Sequence, residues 1–348
     1  MPIPIIASLT FIFGLLGLIW SANLFVSGSA SMAKHLGMTP TMIGLTIVAF
    51  GTSAPEMIVS AGAALDGIPN LGIGNAIGSN IANIGLVLGV TALIARIPVN
   101  NSHLRLEIPL LLGATLLAIL FLWDLQLTRV EGLLLLVAMF GVAILLIIHS
   151  RNSSDNDPFA DQTEEEIPDL SGLTSFIWLL GGLIALLVFA DLLVWSASAL
   201  AEHIGVSPMI IGLTVVALGT SLPELAASIT SILKGHHDIA LGNIIGSNML
   251  NILAVMALPG IIAPSKLDTA VLHRDLPTMA LLTVALAFIM WIKVRASKTR
   301  PGQDSPGTTT VPSSGQQGPS IGLPTGVLFL GCYIAYYAVI IISTTTLT

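Results

Sequence analysis

Charged side chains make up only 9% of the 348 residues, against roughly a quarter in a soluble globular domain. That scarcity excludes an ordinary water-soluble enzyme. Basic residues are the rarer sign, with 12 Lys and Arg against 19 Asp and Glu and no basic cluster, which excludes a nucleic-acid partner. A single cysteine, Cys332, excludes a disulfide framework and a thiolate zinc site. What the chain has in abundance is apolar: such residues reach 54%, and mean hydropathy is +0.93. The chain reads as an integral membrane protein whose surroundings are the lipid bilayer.

A helix crosses the hydrocarbon core with about 20 apolar residues. Ten such runs occur, near 5–33, 40–66, 71–95, 106–123, 130–148, 173–201, 208–233, 239–262, 276–295 and 322–346. The first is too long for a signal peptide and has no basic segment ahead of it, so it is expected to remain as a helix. The expected fold is an all-α membrane protein of ten transmembrane helices, with five in residues 1–148 and five in 173–348. The intervening 149–172 is an acidic linker containing Asp155, Asp157, Asp161, Glu164, Glu165, Glu166 and Asp169. It is no EF-hand: counted from Asp155, Ala160 stands where that loop needs glycine. Residues 297–320, rich in Pro, Gly and Ser, read as a flexible loop. If the N-terminus is outside, nine of the twelve basic residues fall on the inner side: Lys34, Arg96, Arg105, Arg151, Lys234, Lys293, Arg295, Lys298 and Arg300. The positive-inside rule selects that orientation. Both termini are then outside and both long loops cytoplasmic, in a cell or inner membrane.

The halves are copies of one another. Residues 40–90 align with 208–258 at a constant offset of 168, without a gap and with 24 identities in 51 positions. GLTIVAFGTSAPE (44–56) matches GLTVVALGTSLPE (212–224), and GNAIGSNIANI (74–84) matches GNIIGSNMLNI (242–252). The register extends backwards, where Leu24 meets Leu192, His35 meets His203, Gly37 meets Gly205, and Lys34 meets Glu202. An odd number of helices per copy requires the two copies to lie in the membrane with opposite topology. Inverted repeats are the architecture of many secondary transporters, whose sites lie near the midplane where helices are interrupted. A duplicated packing scaffold would explain matched Gly, Ala and Leu. It does not explain matched Glu, Asn, Ser and Thr, because ionisable groups at membrane depth are expensive and mark function.

Glu56 and Glu224 lie midway along the second and seventh runs, each preceded by Gly-Thr-Ser-x-Pro. Proline removes a donor and glycine loosens the turn before it, so the helices are expected to break at 51–55 and 219–223. Such a break is tolerated at membrane depth only where backbone lines a site or cavity. Thr52, Ser53, Thr220 and Ser221 then add hydroxyls beside the freed carbonyls. In the third and eighth runs, Asn75, Ser79 and Asn83 follow an i, i+4, i+8 spacing on one helix face, and Asn243, Ser247 and Asn251 repeat it. Gly74, Gly78, Gly242 and Gly246 suit close helix packing. Two carboxylates among neutral oxygens make a hard-cation environment: Ca2+ takes 6–8 oxygens, whereas Mg2+ demands a tighter octahedron. No Cys or His accompanies the motifs, against Zn2+ or Cu. The two charges balance one Ca2+, two protons or two monovalent cations, which is the physical basis of exchange.

On GTSxPE followed by GNxxGSNxxN, present twice, the chain resembles the sodium/calcium exchanger membrane-region family of the cation/calcium antiporter superfamily. The resemblance covers essentially the whole chain. It implies countertransport of Ca2+ against Na+ by alternating access, with no cofactor, helices one and six sliding over the other eight. Carried over by motif position, the cation ligands are Glu56 and Glu224, with Ala49, Thr52, Ser53, Ser79 and Asn83 from the first half. Ala217, Thr220, Ser221, Ser247 and Asn251 join them from the second, and the alanines act through carbonyls. Glu56, Glu224, Thr52 and Thr220 are expected to hold the divalent ion. Many relatives carry Asp where this chain has Asn251, so its centre keeps two acidic groups, and potassium dependence and coupling ratio stay open.

Three other readings compete with this one. An H+/Ca2+ antiporter uses the same two carboxylates, and Mn2+ fits the same oxygens. A channel is the distant alternative, since channels usually assemble identical subunits about an axis and this duplication provides a midplane site in one chain, expected to work as a monomer. An intramembrane hydrolase lacks a nucleophile–base pair. Of the remaining polar residues, Asp191 in the sixth run is either a relay or a carboxyl at an interface or vestibule. Glu107 is expected to pair with Arg105 at the interface, and His236 and His237 to be plain loop residues.

Overall fold

The computed structural model describes residues 3–99, 101, 103–153, 168–206, 211, 215, 217–298 and 318–345. The helices are α1 (Ile3–Leu36), α2 (Pro40–Thr52), α3 (Ala54–Leu65), α4 (Pro69–Ile94), α5 (His103–Phe121), α6 (Arg129–Ser153), α7 (Gly172–His203), α8 (Ala217–Thr220), α9 (Leu222–Leu233), α10 (His237–Ile262), α11 (Val271–Ser297) and α12 (Leu323–Thr345). Eight of these are long and apolar enough to cross a membrane, and α2 with α3 form a further span bent by 43°. Most of the expected start of the seventh run, from 208, lies outside the described residues, as do 154–167 of the acidic linker and 299–317 of the second loop. α6 runs on to Ser153, into the stretch read as linker.

Burial ranks the helices. α4 and α10 have 72% and 83% of their apolar windows buried, against 17% for α6 and 28% for α1, α7 and α12. The two repeat-matched helices therefore form the centre, where Ile77, Ile81 and Ile84 share one core with Ile244, Ile245 and Ile252. α1 and α7 pack along each other at the periphery. A Cβ on Gly28 would strike the Leu179 backbone and one on Gly182 the Phe25 backbone, so small residues permit this crossing. Gly242 and Gly246 serve the same purpose against α2, at Thr41 and Leu45. For these two glycines packing is the role.

The repeat extends to the helix ends. Gly37 and Gly205 (φ +63° and +86°) close α1 and α7, and Gly67 and Gly235 (both +79°) close α3 and α9. At each pair the left-handed glycine allows a reversed hydrogen bond that caps the last turn, such as Met38 N–H to Ala33 O at 2.9 Å and Val206 N–H to Ala201 O at 3.0 Å.

Two short strand pairs tie the connections together. β1 (Ile97–Pro98) pairs antiparallel with β4 (Ser320–Ile321), and β2 (Gln126–Leu127) with β3 (Ser265–Lys266). The offset of 168 makes β1 and β3 equivalent. Yet β1 precedes α5 and β2 follows it, so the equivalents sit at opposite ends of a membrane-length helix. Inverted repeats require that placement.

Candidate functional site

Both helix breaks fall where glycine, threonine and proline place them. Ser53 (φ −84°, ψ 5°) separates α2 from α3, and Ser221 (φ −89°, ψ 2°) separates α8 from α9. Pro55 and Pro223 occupy the first turn of the following helix, where an absent N–H costs nothing. Glu56 and Glu224 lie one residue further, each 1% exposed. Opposite them, α4 and α10 widen into π-helical turns at Asn83–Leu88 and Asn251–Val255. Such turns are frequent at functional sites, and here each opens on the asparagine of the motif.

The halves meet through exchanged contacts. The Ser53 hydroxyl donates to Glu224 Oε1 at 3.2 Å, 171 residues away. Thr52 also lies beside the Glu224 carboxyl, and its hydroxyl donates to Asn243 Oδ1 at 3.2 Å. Ser79 lies beside the Glu56 carboxyl, which is close enough to Glu224 for the two charges to interact. The sequence places Ser53 beside Glu56; the fold carries it to the glutamate of the other half, because the two breaks face each other across the centre. Asn83, Asn251, Ser221 and Ser247 are buried with them, and Thr220 is half-buried. Ala49 O accepts the Ser53 N–H at 3.0 Å, whereas the Ser221 N–H reaches Leu218 O at 3.2 Å. Ala217 opens α8.

Eight buried side-chain atoms of this set have no hydrogen-bond partner among the described residues: Glu56 Oε2, Glu224 Oε2, both amide atoms of Asn83 and of Asn251, Ser221 Oγ and Ser247 Oγ. Buried polar groups normally have partners, so orphans concentrated in one place need an explanation such as an ion. No group of three or more His, Cys, Asp or Glu that could hold a metal occurs among the described residues. The arrangement offers two carboxylates and otherwise neutral oxygens.

Other expectations fare differently. Asn75 and Asn243 are engaged by protein groups: each amide donates to the main-chain oxygen of its half's glutamate and to a serine, Ser60 or Ser228. Those two serines stand four residues after the glutamate in both copies, a spacing that is legible in the sequence. Glu107 does not pair with Arg105. It is buried, with Oε2 2.7 Å from His103 Nδ1, and His103 Nε2 stands 3.9 Å from Asp238. α5 starts a turn earlier than its apolar run and turns both side chains inward, and the His–x–x–x–Glu spacing of that turn is legible in the sequence. His236 lies in the turn before α10 as expected but is buried, and His237 is the first residue of that helix rather than a loop residue. Asp191 is exposed on α7, and its repeat partner Asn23 bonds its own helix at Ile19 O.

Broken helices meeting around an oxygen-lined, doubly acidic centre in a multi-pass bundle define the class of secondary cation transporters. The chain belongs to the sodium/calcium exchanger protein family, which it matches over residues 6–148 and 174–342. That makes it a cation/Ca2+ antiporter, in a family of transporters rather than of catalytic enzymes. It is 46% identical over 297 residues to the putative antiporter CaxA of Alkalimonas amylolytica, covering 85% of this chain and 92% of that one. It is 30% identical over 318 residues to the sodium/calcium exchanger MaX1 of Methanosarcina acetivorans, covering 82% and 90%. Among solved structures, the sodium-calcium exchanger NCX_Mj superposes with a TM-score of 0.77 at 30% identity, over 96% of this chain and 98% of that chain.

Proposed function

We propose that the protein exchanges Ca2+ for Na+ by alternating access, with Glu56 and Glu224 sharing one central cation site. The observation that carries this reading is the convergence of two buried carboxylates, one from each half, among orphaned neutral oxygens. Thr52 and Thr220 complete the divalent site, and Ser53, Ser221, Ser79, Ser247, Asn83, Asn251 and the carbonyls of Ala49 and Ala217 serve the monovalent ions. Leaving two carboxylates uncompensated in a low-dielectric interior costs several kcal/mol per ion. A site that changes sides only when loaded, with one divalent ion or with several monovalent ions, performs exchange.

The packing of α1 supports alternation. α1 lies along α9, where Lys234 Nζ donates to Ser27 Oγ at 3.0 Å, whereas α7 hardly touches α3, the repeat-matched contact. Among the described residues the peripheral pair thus packs against one half's break helix and not against its equivalent. Sliding α1 and α7 together would exchange those contacts. The protein acts as a monomer in the cell membrane and needs no cofactor.

Radiolabelled Ca2+ uptake into proteoliposomes tests the coupling. An outward Na+ gradient is expected to drive uptake, and a pH gradient alone is not. Uptake on the pH gradient in Na+-free buffer would establish the H+/Ca2+ alternative, and competition by Mn2+ reports divalent selectivity. Current carried with Ca2+ as the sole permeant ion would instead indicate a channel.

Orientation has its own expected result. With Cys332, which is exposed, replaced by serine, cysteines introduced near 160 and 308 label only from the cytoplasm. One near 268 labels only from outside. Labelling of 160 and 268 from the same side would contradict the inverted arrangement.

A further inference from the structure

The polar residues of the motifs divide by what their hydrogen bonds leave over. Glu56, Glu224, Asn83, Asn251, Ser221 and Ser247 keep atoms without partners among the described residues. Asn243 is the opposite case. It is 1% exposed, its Nδ2 donates to Ser228 Oγ at 3.1 Å and to the Glu224 carbonyl at 3.4 Å, and its Oδ1 accepts from Thr52 Oγ1 at 3.2 Å. An amide has two donors on nitrogen and an acceptor oxygen, and in Asn243 both ends are engaged by protein groups.

The polarity of these bonds is fixed by chemistry. A backbone carbonyl only accepts, so the NH2 group of Asn243 must face Glu224 and its oxygen must face α2. Thr52 can then meet that oxygen only by donating. A hydroxyl has one proton and two lone pairs. The Thr52 hydroxyl also lies 3.4 Å from Ala49 O, a longer contact than that to Asn243, and stands beside the Glu224 carboxyl, the strongest of the three acceptors because it is charged. If the proton turned there, it would occupy a carboxylate lone pair and turn a proton toward the place of the cation.

We infer that Asn243 is a positioning residue: it draws the Thr52 proton away from Glu224, so that the Thr52 oxygen and the Glu224 carboxylate both present lone pairs to the transported cation. Asn75 is its repeat partner, donating to the Glu56 carbonyl and to Ser60 Oγ, both at 3.3 Å. The inference rests on the proposed central site and adds to it a residue that touches no ion. An aspartate at 243 would accept from Thr52 but could not donate to the Glu224 carbonyl, so the amide is required for both bonds at once.

The test is equilibrium Ca2+ binding and initial-rate Ca2+ uptake by the full-length protein in proteoliposomes. Asn243→Leu is expected to raise the half-saturating Ca2+ concentration about tenfold, the worth of one hydrogen bond to a charged group, with the maximal rate largely kept. Thr52→Val removes the hydroxyl itself. In that background Asn243→Leu should add less than about twofold, because residues acting through one bond are not additive. An unchanged half-saturation in Asn243→Leu, or effects that multiply in the double variant, would overturn the inference. A merely structural role would lower the unfolding temperature and the amount of active protein without moving half-saturation. Should Asn243→Leu not fold, Asn243→Ser, too short to reach both partners, decides by the same two measurements. Glu224→Gln separates the readings: if it leaves Ca2+ binding intact the central site itself is wrong, and if it abolishes binding while Asn243→Leu shifts nothing, only the positioning role fails.

Discussion

Glu56→Gln and Glu224→Gln are each expected to abolish Ca2+ transport, with a loss of about a hundredfold or more, while the protein still folds. Each change keeps size and one oxygen but removes half of the charge that balances a divalent ion. One missing interaction with a desolvated charge is worth about 3 kcal/mol or more, which already corresponds to a factor above a hundred. Folding should survive because neither carboxylate holds the breaks in place. The breaks are fixed by Gly51, Pro55, Gly219 and Pro223, and Oε2 of both glutamates is unpartnered among the described residues. A neutral amide also removes the repulsion between the two carboxyls, so the unfolding temperature is expected to hold or rise. Thermal unfolding alongside radiolabelled Ca2+ uptake checks both halves of the expectation. Either variant transporting near the unmodified rate would exclude a shared central site.

The ease of placing those glutamates and the difficulty of placing their neighbours have one physical cause. Local signals read directly: glycine and proline mark the breaks at Ser53 and Ser221, and the offset of 168 carries each feature to its copy, down to the left-handed glycines at 37, 205, 67 and 235. What was not legible depends on how the halves interlock. Nothing local says that Ser53 reaches Glu224 rather than Glu56, because the contact spans 171 residues and follows from two breaks facing each other. Helical spacing put Asn75 and Asn243 on the same face as Ser79 and Ser247, which is correct as far as it goes. It could not say that the first turn of that face looks at the Glu backbone in both halves, while Ser79 one turn on stands beside the Glu56 carboxyl. Glu107 failed for a related reason: hydropathy starts α5 at 106, which leaves its buried partner His103 outside the expected helix.

Ser79→Ala combined with Ser247→Ala is the variant that speaks to the driving ion. Ser247 Oγ is fully buried with no partner among the described residues, and Ser79 stands beside the Glu56 carboxyl. A purely proton-coupled site needs carboxylates that load and unload protons, but it has little use for neutral oxygens around them. Desolvated Na+ does need them, at about 2.4 Å by analogy with other hard cations. Protons compete for the same carboxylates under either coupling, so inhibition by acid discriminates nothing. Losing two hydroxyl ligands at about 1 kcal/mol each should raise the Na+ concentration for half-maximal exchange by about tenfold or more. The Ca2+ requirement should move less, because in the proposed site the divalent ion is held chiefly by the two glutamate charges. The measurement is Na+-dependent Ca2+ efflux across a Na+ titration, with the Ca2+ titration run in parallel. Equal shifts for both ions would mean that the serines shape the centre without choosing between its occupants. Ca2+ uptake that runs on a pH gradient in Na+-free buffer and ignores both substitutions would assign the coupling to protons.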